Sequence, residues 1–316
     1  MVRPTTSDQG PTIGLSSNEQ STHLDIRGLH FSCKFRGVGS NAVSVPENPI
    51  PEPPPVTGPE LYPAFPSPVP VTPVEDPPWS GWDVVALAFI SFFSVIACIF
   101  VTAYVAHLRF SPRSQWMDSL KSPEVIVAGQ LLAYLLILML MYKLVRNHNH
   151  GRVLDALRWN WPANWNVYLI SGIGLAIVLI PLGNLLPMPK NVPIDEFFRT
   201  ARDAYILSLF GVLFAPVFEE VFFRGFLYPV VARRFGFYPA IVITAILFAF
   251  IHASQLKYSW GPVLIIFLVG IALTTVRAVK KSLSATILMH MAYNGTIFVT
   301  SYIATDGFRH LEKFNQ

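Results

Sequence analysis

Two carboxylates and a guanidinium, Glu219, Glu220 and Arg224, sit inside a stretch of sequence that is otherwise apolar. Glu219 and Glu220 are the only acidic residues between Asp203 and Asp306. An ionisable group at bilayer depth costs about 2.5–3.5 kcal/mol on insertion scales. Three of them within one turn and a half are therefore expected to serve a function. Further along, His252 closes Phe248-Ala249-Phe250-Ile251-His252, and His290 precedes Asn294 by four residues. A carboxylate and an imidazole acting on one water make a general base. A second imidazole and an amide can donate to a developing oxyanion. Together these groups would suffice to hydrolyse an amide without a nucleophilic Ser or Cys. The same set could instead hold Zn2+ through Glu219, His252 and His290, leaving a position open for water. The sequence contains no HExxH, so zincin spacing does not apply.

The elements that must position these groups are helices. Glu220 and Arg224 are four apart and can pair along one helix face. Glu219 lies about 100° round from Glu220 and is left to face elsewhere. His290 and Asn294, also i and i+4, point the same way. Depths counted from the Arg233/Arg234 end at about 1.5 Å per residue put Glu219 roughly 18 Å in and His252 roughly 20 Å in. On the same count His290 lies about 12 Å and Asn294 about 18 Å in. Four polar residues on three helices thus share one level near the middle of a membrane. Taken singly, a buried His or Asn often serves as interhelical hydrogen-bonding glue, and Glu220 with Arg224 reads as a structural ion pair. The shared depth is what argues for a site. His148 and His150 have the spacing of a metal pair, but they sit in a basic loop and read as solvated.

Composition agrees with a membrane setting. The chain of 316 residues is 52% hydrophobic and 13% charged, about half the charged share of soluble domains. Its formal charge of +4 is spread singly or in pairs through short loops, which is a juxtamembrane pattern rather than a nucleic-acid-binding face. Cys33 and Cys98 support neither a disulfide framework nor a CxxC metal site. No cleavable signal peptide is visible in the polar opening residues, so the first apolar run, from about Trp82, is expected to target and anchor the chain.

Residues 1–80 read as a disordered, Pro-rich tail, with prolines concentrated from Pro46 to Pro78. Residues 81–200 read as N-terminal transmembrane helices and loops, 201–305 as a transmembrane core carrying the polar residues, and 306–316 as a short tail. Apolar runs of spanning length fall near 82–106, 125–145, 167–187, 205–231, 238–255, 260–277 and 283–304. The fold class is all-α, a polytopic bundle of about seven transmembrane helices. Pro181 and Pro216 fall inside runs and are expected to kink them. The tryptophans, from Trp79 to Trp260, lie at run ends or in loops, as at a membrane interface. Arg146, Arg152 and Arg158, Arg233 and Arg234, and Arg277, Lys280 and Lys281 fall on one side of a seven-helix path, expected to be cytoplasmic together with the N-terminus.

Glu219-Glu220-xxx-Arg224, Phe248-xxx-His252 and His290-xxx-Asn294 together resemble the three-motif signature of the CPBP family. That family comprises type II CAAX prenyl proteases and their bacteriocin-processing, Abi-like relatives. The likeness covers about residues 205–300, and the three motifs agree in order and spacing. It implies an intramembrane endopeptidase in which Glu219 and His252 activate water and His290 and Asn294 stabilise the oxyanion. Glu220 and Arg224 would hold the helix, and Phe248 supports the site. The family's mechanism implies no cofactor, with Zn2+ as the alternative. It implies a protein or peptide substrate, membrane-anchored or lipidated among the options, the lipid bilayer as a partner, and no nucleic acid. A prenylated substrate does not follow from it, and the family's bacterial members make a bacterial plasma membrane the expected location. The long Pro-rich N-terminus departs from the family's common form. Two readings from other classes stand beside the protease: a non-catalytic scaffold or immunity protein, and a transporter with an ion site at the midplane.

Overall fold

The computed structural model describes residues 75–110, 115–148, 152–187 and 198–311. The expected tail up to residue 74, with Cys33 and most of its prolines, and His150 lie outside the described residues. Every described element is helical, and six helices are long and apolar enough to cross a membrane. α1 (Gly81–Phe110), α2 (Pro123–His148) and α4 (Trp165–Leu185) are three of them, with the single turn α3 (Val153–Ala156) between the last two. A fourth is the column Ala201–Phe235, followed by α8 (Phe237–Ala253) and α9 (Trp260–Lys280). The seventh expected span, α10 (Leu283–Ala304), forms a helix of 22 residues but is not among those six. Its polar residues, including His290 and Asn294, dilute its apolar character. Phe89, Phe92 and Phe93 on α1 are more than 60% exposed, an apolar face suited to lipid contact.

The column Ala201–Phe235 is the irregular element, and it carries the carboxylates. α5 (Ala201–Leu213) starts at a capping box in which Thr200 and Asp203 satisfy each other's backbone N–H. The helix breaks at Phe214, and α6 (Ala215–Glu220) restarts with Pro216 in its first turn, so the expected interruption at Pro216 is present. A π-helical turn then spans Val221–Leu227, and α7 (Tyr228–Phe235) completes the column. Pro181 behaves differently: α4 runs through it to Leu185.

Two close approaches fix the helices around the site. A Cβ on Gly172 of α4 would strike the Met289 carbonyl of α10, one residue before His290. A Cβ on Gly270 of α9 would come within 3.0 Å of the Ala245 Cα on α8. Small residues thus let α4 meet α10, and α9 meet α8, nearly backbone to backbone.

The basic loops gather as the sequence grouped them. Leu283 N donates to the Arg158 carbonyl (2.9 Å), and Arg233 donates to Asp76 and to the carbonyls of Pro77 and Trp79. With Arg277, near the end of α9, donating to Glu75, the start of α1, the α7–α8 turn and the α9–α10 turn share one end of the bundle. Trp79 departs from expectation. It is 1% exposed and stacks on Phe226, rather than lying at a lipid interface. Trp82, by contrast, is 81% exposed.

Candidate active site

Glu220 and Arg224 are both fully buried and pair at 2.9 Å. The Arg224 guanidinium is satisfied in three directions. Its Nη1 donates to Glu220, its Nε to Thr274 Oγ1 (3.2 Å), and its Nη2 to the Gly270 carbonyl (3.2 Å). Thr274 in turn donates to that same carbonyl (2.7 Å). The guanidinium also lies 4.4 Å from the centroid of the Phe248 ring, a cation–π contact in a desolvated setting. The i, i+4 pair therefore does more than stitch one helix: it ties the π turn to α9 and α8.

Glu219 faces away from this pair, as the 100° offset requires. Its Oε1 lies 3.9 Å from His252 Nε2 and its Oε2 lies 3.8 Å from His290 Nε2. The Glu219 side chain keeps 16% of its exposure and His252 20%, whereas His290 keeps 5%. Both separations exceed direct hydrogen-bond length and leave the two imidazoles flanking a shared space with the carboxylate.

The other ring nitrogens fix how each imidazole is presented. His252 Nδ1 lies 2.8 Å from the Phe248 carbonyl. A carbonyl only accepts, so Nδ1 carries a proton, and Nε2 is the nitrogen turned toward Glu219. His290 Nδ1 lies 2.8 Å from Glu220 Oε1 and donates to that carboxylate in the same way. Phe248 packs against both rings, with centroid distances of 5.0 Å to His252 and 5.9 Å to His290. One aromatic ring thus touches Arg224 and both histidines. Phe248 belongs at the centre of the cluster, where the sequence had assigned it only a supporting place.

His252 sits in the last turn of α8, which at 17 residues is roughly 25 Å long. Its Nε2 stands 3.9 Å from Glu219, so the structure brings these two residues together. His252 is nonetheless near the end of a short helix rather than at the middle of a long one, because a 3-10 turn at Ser254–Leu256 ends α8 early.

Asn294 is placed differently from the other three. It lies one turn beyond His290, and its Nδ2 donates to the Gly211 carbonyl of α5 (2.7 Å). One of its two N–H groups is thus engaged, leaving one for a ligand. Both functions considered for it, interhelical glue and oxyanion donor, are compatible with that geometry.

Sequence reasoning missed Thr274, Gly270 and the stack of Tyr134 on Phe218, whose centroids are 3.9 Å apart and whose planes are 6° from parallel. Nothing in an apolar helix marks such residues beforehand. The i, i+4 spacing of Gly270 and Thr274 on α9 is a faint signal of a small, polar contact face. His148 is 4.0 Å from Asp83 and takes no part in the site.

Among the described residues, no group of three or more His, Cys, Asp and Glu side chains is arranged to hold a metal ion. The facing atoms of Glu219, His252 and His290 stand 3.8–3.9 Å apart, a little wider than the roughly 3.3–3.6 Å between donors that share one tetrahedral Zn2+ at about 2.0–2.2 Å.

Residues 201–296 match the family of Rce1-like type II CAAX prenyl endopeptidases. The matched segment begins at α5 and ends just past Asn294, so it contains every residue of the three motifs. It agrees with the family resemblance read from those motifs. No curated protein and no solved structure matches the chain.

Proposed function

We propose that this integral membrane protein is an intramembrane endopeptidase that cleaves a peptide bond with water held between Glu219 and the imidazole of His252, while His290 and Asn294 receive the oxyanion. The family match supports an endopeptidase of the CAAX-protease type. The division of labour among the residues is our reading. The observation that carries it is the approach of two imidazoles, each with its Nδ1 anchored, to opposite oxygens of one carboxylate at 3.8–3.9 Å.

A water in that space can give one proton toward Glu219 and the other toward the His252 Nε2 lone pair, leaving an oxygen lone pair free to attack. Glu219 takes the proton as the water oxygen bonds to the scissile carbonyl carbon. The oxyanion is received by His290, which when doubly protonated donates from Nδ1 to Glu220 and from Nε2 to the substrate. The free N–H of Asn294 is the second donor. The proton held by Glu219 then passes to the departing nitrogen, the C–N bond breaks, and a neutral amine leaves with a carboxylic acid. The acid's hydroxyl keeps the second water proton until Glu219, again a carboxylate, takes it and a carboxylate product departs. Glu220 and Arg224 do not touch substrate; they hold His290. The substrate is a protein or peptide reached within the membrane, which favours a membrane-anchored or lipidated chain.

The test is cleavage of a quenched fluorescent peptide library by purified protein, wild type beside Glu219→Gln, with and without a zinc chelator. Loss of cleavage in a folded Glu219→Gln, with wild-type activity indifferent to chelator, supports the reading. Retained cleavage in Glu219→Gln removes Glu219 as the base. Loss on chelation restored by Zn2+ replaces the mechanism with a metal-assisted one.

A further inference from the structure

Glu75–Trp79, just ahead of α1, contacts α9, α7 and the π-helical turn through Arg277, Arg233 and Phe226. Glu75 receives a two-pronged ion pair from Arg277 of α9, with Nη1 to Oε1 at 2.6 Å and Nη2 to Oε2 at 2.9 Å. The Arg277 side chain is fully buried and Glu75 is 10% exposed. Asp76 and the carbonyls of Pro77 and Trp79 are held by Arg233 at 2.9–3.1 Å. The Trp79 indole stacks on Phe226 with centroids 4.5 Å apart, and its N–H donates to the Phe226 carbonyl (3.0 Å).

The places touched are informative. Phe226 lies in the π-helical turn Val221–Leu227, two residues after Arg224. A π turn departs from the regular i→i−4 ladder, and Pro229 removes one more N–H from the same stretch. The Trp79 indole supplies a donor to that stretch from outside. Arg277 lies three residues after Thr274, the α9 hydroxyl that accepts from Arg224. It also stands over the Tyr228 ring (5.5 Å), directly after the π turn. Arg224 is therefore held between the π turn and α9, and Glu75–Trp79 bridges those same two elements one turn farther out.

We propose that Glu75–Trp79 is a positioning strap. It clamps the π turn to α9, so that Arg224 and Glu220 hold His290 in register with Glu219. The strap touches no reacting atom; it acts through Phe226 and Arg277. This rests on the function proposed above for its effect on turnover, but not for the clamp itself.

Two substitutions in the full-length protein separate the clamp from general stability. Trp79→Phe keeps the stacked ring and deletes only the indole donor. Glu75→Gln keeps the shape and removes the charge facing Arg277. Backbone hydrogen exchange in detergent is read at 215–227 and, as a control, at 165–185. With one buried acceptor or charge left unpaired, exchange at 215–227 should rise on the order of tenfold, while the control is unchanged. On a cleaved peptide, kcat should fall about tenfold with KM unchanged, because substrate contacts are intact while the placement of His290 is loosened. Unchanged exchange at 215–227 in both variants overturns the clamp. Faster exchange with unaltered kcat overturns its link to positioning and leaves the strap a packing element. If wild-type protein cleaves nothing, the proposed function is what fails, and the exchange measurement still decides the clamp.

Discussion

Arg224→Met tests whether the buried ion pair exists here to hold a histidine. Methionine has nearly the reach of arginine but no charge and no donor. The substitution strips Glu220 of its partner at 2.9 Å while leaving it fully buried, and it removes one donor each from Thr274 Oγ1 and the Gly270 carbonyl, which keep their bond to each other. Breaking a buried pair by deleting one partner costs about 3–5 kcal/mol, mostly because the remaining charge is uncompensated. For a domain of this size that corresponds to a fall of roughly 6–20 °C in Tm. Replacing both members, Glu220→Met with Arg224→Met, removes the stranded charge. Apolar replacement of a buried pair is often near neutral, but here His290 Nδ1 loses its acceptor, at about 1–3 kcal/mol. The double variant is therefore expected to melt above Arg224→Met and below wild type. It should remain inactive, because nothing then orients His290. Thermal unfolding in detergent, followed by intrinsic fluorescence beside peptide cleavage, reads both quantities. A single variant that melts with wild type, or a double variant that regains cleavage, refutes the reasoning.

Other substitutions probe the same geometry. Gly172→Val should drive α10 away from α4 at Met289. It should cost about 1–3 kcal/mol by overpacking and lower kcat, since His290 is the next residue; a variant with wild-type Tm and kcat would show that the close approach carries no strain. Asn294→Ala should lower kcat by about 10²–10³ if its free N–H serves the oxyanion. An effect confined to Tm would instead reduce Asn294 to a tie between α10 and α5. Phe248→Leu should weaken the Arg224 contact by up to about 2 kcal/mol and depress cleavage, and a lowered Tm with kcat intact would separate the ring's packing role from its placement of His252 and His290.

Much of this protein is legible along the chain because the bilayer imposes simple rules. An apolar run of spanning length must become a helix, since its backbone has no water to bond; six of the seven expected runs form single helices, and the run near 205–231 forms the interrupted column Ala201–Phe235. A 3.6-residue period fixes which side chains share a face, and this sufficed to pair Glu220 with Arg224 and to turn Glu219 away from them. The shared level of Glu219, His252 and His290 also followed, because antiparallel helices convert sequence position into depth.

What the chain could not announce was everything that depends on which helix lies beside which. Thr274 and Gly270 hold Arg224 only because α9 packs against the π turn, and Asn294 meets Gly211 only because α10 lies by α5. Trp79 has the local character of an interfacial residue, yet the π turn offers it a carbonyl and Phe226 a face to stack on. Depth and facing are properties of a single helix, and so they can be read from its residues alone. Lateral neighbours are chosen by backbone approach distances between helices, and those exist only once the bundle is assembled.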